Sequence, residues 1–285
     1  MKSSCLLASF ALLGLQLTAC GDGSMPDPGA NTEDAQIVDL DNLRITVRGR
    51  AELLPEASRW LADQGQSPPS LSGAPLILEE PLRVGVSDAS STFGSGSVDE
   101  DNGFSVPDVA VRDMHLSLAA GVQQVGFARS STVIFDTAFT GSRPRTDVVN
   151  AQVWALPWSF VDALTRAVGN EAMQTLTGGQ ATTLQKSGFV LGRVVDAQGQ
   201  PVAGAHVKLD QDALAHRIYY PSEDLSQVSQ EGTSANGLFL YVHSGGDLET
   251  FRMSLHGTED YVWRNAGAMA GHGLVLTLFP GTRAP

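Results

Sequence analysis

Cysteine is nearly absent from this chain. There are two, Cys5 and Cys20, and none follows. The polypeptide beyond residue 20 therefore folds without a disulfide framework, without cysteine-ligated zinc and without a thiol nucleophile. Basic residues are also scarce: 18 Lys and Arg stand against 31 Asp and Glu, a net charge of −13 with no Lys/Arg run. Nucleic acid needs a basic stripe and is excluded as a partner; acidity of this kind mainly keeps an exposed protein soluble. After the first twenty residues no apolar stretch reaches the ~18 residues of a membrane-spanning helix. Catalytic signatures are missing too. There is no His-Glu-x-x-His and no Gly-x-Ser-x-Gly; Gly94-Ser95-Gly96-Ser97 comes near, but with a glycine in the wrong place and inside a Ser/Gly loop.

What is present begins at the N-terminus. Met1-Lys2 gives a short basic start, Cys5 to Leu17 is an apolar run, and Leu17-Thr18-Ala19-Cys20 closes it. The order and length are those of a secretory signal peptide, too short for a permanent span. The closing tetrapeptide resembles the lipobox of bacterial lipoproteins. That resemblance implies cleavage before Cys20 and acylation of its thiol, with no cysteine then left free. Each buried methylene of such acyl chains contributes roughly 0.8 kcal/mol to membrane binding. Residues 1–19 are read as the signal peptide. Residues 20–41, acidic and rich in Gly and Pro at the start, are read as a flexible tether with an r.m.s. reach of about 25 Å. Gly21 stands where an aspartate would signal inner-membrane retention, so the resemblance implies the outer membrane.

Beyond the tether, 30 Gly and 14 Pro in the whole chain suit many short strands joined by turns. Period-two alternation recurs: Ala205, Val207 and Leu209; Phe251, Met253 and Leu255; Met114, Leu116 and Leu118, each set interleaved with more polar or small residues. One apolar face per run predicts half-buried strands and an all-β sandwich architecture. One segment differs. Ser159 to Leu176 places Phe160, Val161, Leu164, Val168, Met173 and Leu176 at helical spacing. Ser159 and Asp162 are placed like a capping box, Gly169-Asn170 marks a break, and Gly178-Gly179 a stop. It is expected to be a helical connector, residues 158–185.

The sequence also repeats itself. Gly192-Arg193, the Gly204-Ala205 strand and the Asn236-Gly237 hairpin follow one another in the second half. Gly49-Arg50, Gly73-Ala74 and Asn102-Gly103 follow in the same order in the first, which carries an insertion around Glu56 to Ser70. The glycines suit hairpins, bulges or close strand approach. The run Gly192 to Leu209 (GxVxDxxGxPVxGAxVxL) and the hairpin Asn236 to Phe239 resemble the carboxypeptidase regulatory-like family, a transthyretin-like β-sandwich, over residues 188–279. The resemblance implies a Greek-key sandwich without enzymatic activity and brings no catalytic residue with it. The expected organisation is thus two tandem transthyretin-like or Ig-like sandwiches, a degenerate one at 42–157 and a family-like one at 186–285.

Candidate site residues are few. His115, His206 and His256 fall on polar strand faces and are expected to be solvated; His243 and His272 adjoin Gly-rich turns, where a shared metal is conceivable. Asp99-Glu100-Asp101-Asn102-Gly103 begins like a calcium loop but has its glycine one place early and no closing acid, so a hairpin explains it better and a weak calcium site at Asp99–Asp101 stays open. Tyr219, Tyr220 and Trp263 are the candidate ligand-binding patch, with one of the adjacent tyrosines pointing outward. No catalytic residue, resident metal or cofactor is expected. The reading is a non-enzymatic cell-envelope lipoprotein, anchored through Cys20, binding a protein or polysaccharide partner. The alternative is an envelope hydrolase with an unrecognised site.

Overall fold

The computed structural model describes residues 38–281; Cys20 and nearly all of the tether lie outside them. Val38 onward forms one compact unit. Seven strands come from the first half: β1 (Arg44–Leu53), β2 (Pro75–Glu79), β3 (Thr92–Ser97), β4 (Gly103–Ala110), β5 (Ser117–Val122), β6 (Ser130–Asp136) and β7 (Val148–Ala155). Eight come from the second: β8 (Phe189–Val194), β9 (Val207–Leu209), β10 (Ile218–Pro221), β11 (Val228–Ser229), β12 (Leu238–Val242), β13 (Glu249–Leu255), β14 (Arg264–Ala268) and β15 (Gly273–Leu278). Short helices join them: α1 (Pro55–Asp63), α2 (Pro81–Gly85), α3 (Thr137–Thr140), α4 (Trp158–Val168), α5 (Asn170–Thr177) and α6 (Leu184–Ser187). The architecture is mostly β, as the alternation predicts.

The arrangement of the two halves departs from the tandem expectation. A nine-stranded sheet, ordered β11-β10-β12-β8-β15-β6-β5-β2-β3, runs through both. The last strand, β15, lies parallel between β8 and β6, so second-half and first-half strands share one ladder. Two three-stranded sheets cover it: β4-β1-β7 over the first-half strands and β14-β13-β9 over the second-half strands. Side-chain alternation assigns the faces. On β15, Leu274, Leu276 and Leu278 join the core under β14-β13-β9, whereas Val275 joins the core under α4 and α5. Thr132, level with Val275, accepts a hydrogen bond from Trp154 N of β7 at 2.8 Å. The helices and the sheet β4-β1-β7 therefore lie on the same face of the long sheet.

Residues 158–187 are accordingly not a connector between two bodies. Phe160, Val161, Leu164, Met173 and Leu176, picked out by their helical spacing, are buried against Phe189, Leu191, Leu238 and Leu240 of the sheet. The break at Gly169 and the left-handed stop at Gly178 fall as expected, but the N-cap of α4 is Pro157 without a side-chain cap. An amphipathic helix beside a bare apolar sheet face gains more by covering it than by bridging solvent.

Register carries the internal repeat. Gly49 lies opposite Phe104 in the antiparallel pair of β1 and β4, and Gly192 lies opposite Phe239 in that of β8 and β12. Gly73 and Gly204 adopt φ of +76° and +71° in open space, so they serve turn conformation and not close strand approach. One alternation fails. Met114 is buried and Leu116 is 38% exposed, because this segment is a turn wrapped round Glu80. The buried Glu80 carboxylate accepts backbone N–H bonds from Leu116 at 2.6 Å and His115 at 3.2 Å.

Two buried ion pairs tie the halves together. Asp136 at the end of β6 accepts from Arg264 Nε of β14 at 2.8 Å and from Asn265 Nδ2 at 3.1 Å. The Arg264 guanidinium lies against the packed pair of rings Phe139 and Phe279, 5.5 and 5.0 Å from their centroids, which are 4.9 Å apart. Glu56 of α1 accepts from Arg193 of β8 at 3.1 Å, with the guanidinium 5.7 Å from the Trp154 ring centroid.

Candidate functional site

The residues expected to bind are not brought together. Tyr220 is buried in the core under β14-β13-β9, and its hydroxyl accepts from Val207 N at 2.9 Å. Tyr219, on the opposite face, packs against the core under the helices. Trp263 lies elsewhere, with Lys208 Nζ 5.0 Å and Arg252 5.6 Å from its ring. Strand alternation, which directed one tyrosine outward, sends both into cores, because the long sheet is covered on both faces here.

His115, His206 and His256 are exposed. His243 is buried and spends its ring nitrogens on main chain: Nδ1 is 2.7 Å from Ser187 O and Nε2 2.8 Å from Asp247 O. Among the described residues no group of three or more His, Cys, Asp or Glu gathers as metal ligands. Asp99 Oδ1 accepts from Asp101 N at 2.9 Å and Gly103 N at 2.6 Å, the self-capped hairpin that competes with a calcium loop.

The site that does form lies where the halves meet. Ile77 and Glu79 alternate with Leu76 and Leu78, which are committed to the first-half core, so the former pair points to the opposite face. There they meet Gly121 and Val122 of β5, the loop Gln123–Arg129, Trp158 at the start of α4, and His272 in the turn before β15. Together these bound a cleft of about 430 Å³. The loop is pinned by main chain: Trp158 N donates to Gly126 O at 2.9 Å and Ala128 N to Leu156 O at 2.9 Å. Its walls are chiefly apolar, and Trp158 is 46% exposed at the rim.

The floor is polar. His272 Nε2 is 2.9 Å from Ser131 Oγ and 3.5 Å from Glu79 Oε1. Burial drives the His272 pKa down to about 4, helped by the Arg129 charge. Burial also raises that of Glu79, with the Ser131 hydroxyl and Arg129 pulling it partly back. Both effects disfavour the charged forms in a low-dielectric floor. His272 Nδ1 and Gln124 Oε1, both on residues lining the cleft, are buried without a hydrogen-bond partner among the described residues.

A serine, a histidine and an acid within reach of one another invite a hydrolase reading, and the geometry argues against it. A triad needs the acid on one ring nitrogen and the serine on the other. Here both face Nε2, while Nδ1 stands alone. Ser131 is wholly buried and does not line the cleft, so a substrate carbonyl has no path to its hydroxyl.

The floor has a pH signature. Unfolded His272 takes its proton near 6.5, folded His272 only near 4. Between these values the unfolded chain holds more protons. The contribution of neutral His272, roughly 3 kcal/mol, is therefore complete above pH ~6.5 and lost as pH falls toward ~4. Glu79, raised, works in the opposite sense, since acidification relieves its burial cost. Urea midpoints measured from pH 7 to 4.5 are expected to fall more steeply for the wild type than for His272→Gln.

No family model matches this chain, and no curated protein matches it. Solved structures give distant likenesses. The Streptococcal ancillary pilin is 12% identical, over 84% of this chain and 69% of that one, at a TM-score of 0.24. The shaft pilin spaA from Lactobacillus rhamnosus GG is 8% identical over 84% and 99%, at 0.23. The Bacillus anthracis TIE protein is 9% identical over 85% and 35%, at 0.22. At these scores the likeness carries no argument, and the fold stands on its own strand topology.

Proposed function

We propose that this chain is a non-catalytic binding module of the cell envelope, held at the membrane by lipid on Cys20 and gripping a protein or polysaccharide partner through the cleft at the junction of its halves. The carrying observation is the half-exposed Trp158 beside apolar walls, over a hydrogen-bonding floor in which the Ser131 hydroxyl paired with His272 is sealed from the cleft. Concave, mainly apolar sites with a few polar groups are where ligands are held, and large aromatic rings at such rims carry a disproportionate share of binding energy. The lipobox resemblance supplies the compartment, and the outer membrane is the proposed location.

The test compares capture of envelope material by the full chain and by variants. Trp158→Glu and Val125→Glu alter exposed lining residues and are expected to reduce capture about tenfold or more. Val149→Glu, exposed but outside this cleft, leaves it unchanged. Equal capture by all four proteins removes the cleft from the function. The hydrolase alternative has one observation in its favour, the Ser131–His272 contact; turnover of a chromogenic ester that disappears in Ser131→Ala is the result that revives it.

A further inference from the structure

We propose that the cleft recognises a peptide chain end: a C-terminal residue with an apolar side chain, its free carboxylate held by Arg129 and its amide N–H taken by the cleft floor. The inference rests on the binding reading above and narrows it to one ligand chemistry.

Three observations converge. The first is charge. Arg129 is the one cationic residue lining the cleft. Its side chain is exposed and makes no hydrogen bond or ion pair with any described residue; only its main-chain O is used, by Gly273 N. On a chain of net charge −13 an unpaired guanidinium facing a cavity is a local anion site, and its fork matches a carboxylate. The one carboxyl group of the lining, Glu79, makes no ion pair with Arg129; its near neighbour is His272 Nε2 at 3.5 Å.

The second is shape and polarity. Ile77, Val122, Phe127 and Trp158 make walls of aliphatic and aromatic carbon round a volume of about 430 Å³, within the range of small-ligand sites. That suits one large apolar side chain with its backbone better than a sugar, whose hydroxyls need polar partners over most of their surface.

The third is unmet hydrogen bonding. Gln124 Oε1 and His272 Nδ1 are buried on lining residues without partners among the described residues, and His272 is only 4% exposed. Buried polar atoms left unpaired cost free energy that a ligand of matching polarity recovers. Gln124 Oε1 can only accept, so it calls for an N–H. The last residue of a peptide carries one beside its carboxylate, whereas a simple fatty or aryl acid carries none.

The experiment is a titration of the full chain, followed by tryptophan fluorescence, with five probes: N-acetyl-phenylalanine, its C-terminal amide, 3-phenylpropionate, galacturonate and a heptapeptide ending in Phe. The acylated amino acid is expected to bind, and amidation of its carboxylate or Arg129→Ala to weaken it about tenfold or more, the worth of one charge-assisted hydrogen bond. Arg129→Lys recovers part of the loss. 3-Phenylpropionate, lacking the N–H, binds more weakly than the acylated amino acid. A heptapeptide ending in Phe with a free carboxylate binds at least as well as N-acetyl-phenylalanine. The inference is overturned if acid and amide bind equally, if Arg129→Ala changes nothing, if galacturonate is the preferred probe, or if no probe binds while Trp158→Glu still abolishes capture of envelope material. That last pattern leaves the cleft as a binding site for another chemistry and defeats only the chain-end proposal.

Discussion

Gly188→Ala is expected to prevent folding or to cost more than about 4 kcal/mol, among the largest effects of any single methyl group in this protein. Gly188 has φ of +84°, and a Cβ there stands 1.7 Å from Met269 O and 2.7 Å from Met269 C. Both neighbours are main chain and cannot rotate away. The same few atoms hold β8 beside the turn that carries His272: Phe189 N donates to His272 O at 3.1 Å. The clash therefore strikes the shared ladder and the cleft floor together. Gly199→Ala is the control. Its φ is +76°, but nothing lies within 4 Å of the added Cβ, so it carries only the left-handed backbone penalty of about 1–2 kcal/mol. Chemical denaturation of the two variants separates crowding from conformation.

The second large effect is at Asp136. Its carboxylate is 1% exposed and its partner Arg264 9% exposed. Removing one member of such a pair leaves an uncompensated buried charge, at about 3–5 kcal/mol. Asp136→Ala also strips three further acceptor contacts, to Asn265 Nδ2, to Asn265 N and to Ala138 N at the start of α3. For a body of this size each kcal/mol shifts Tm by about 2–4 °C, so a fall of roughly 6–20 °C is expected. The shape of the transition is as informative as its midpoint. Asp136 lies on β6 of the first half, Arg264 on β14 of the second, and β15 binds β6 to β8. Calorimetry is expected to give one transition that moves as a whole; two transitions, one of them unmoved, belong to independent sandwiches.

Much of the β architecture was legible because period two is local. Phe251, Met253 and Leu255 alternate in the sequence and are buried in β13, and the helix break at Gly169 is visible as a Gly-Asn pair. The sharing of one sheet was not legible. β15 pairs with β8, some eighty residues earlier, and with β6 beyond that, and neither pairing leaves a mark in its own sequence: Leu274 to Leu278 reads simply as an apolar strand. For the same reason the helices at 158–187 read as a connector, since nothing local says that an uncovered sheet face waits beneath them.

The cleft was harder still. It is assembled from β2, β5 with the loop that follows it, a helix start and the turn at His272, four pieces far apart in the chain. Of its members His272 is marked in the sequence only for a metal shared with His243, whose ring nitrogens instead serve Ser187 O and Asp247 O. The one available signal was Glu79-Glu80 at the end of the apolar run Pro75-Leu76-Ile77-Leu78, two acids where the strand pattern leaves no solvent. Tyr219, Tyr220 and Trp263 misled because aromatic residues mark cores and platforms alike, and only the layers on both sides of a strand decide between them.

The most direct measurement follows the chemical fate of what the cleft holds. The full chain and Ser131→Ala are each incubated with envelope material, and the retained molecule is recovered and weighed by mass spectrometry. A holder without chemistry returns the same unaltered molecule from both proteins, in amounts that drop when Trp158 is replaced by glutamate. Cleavage products from the wild type that are missing with Ser131→Ala would contradict it, for then the buried hydroxyl reaches substrate after all.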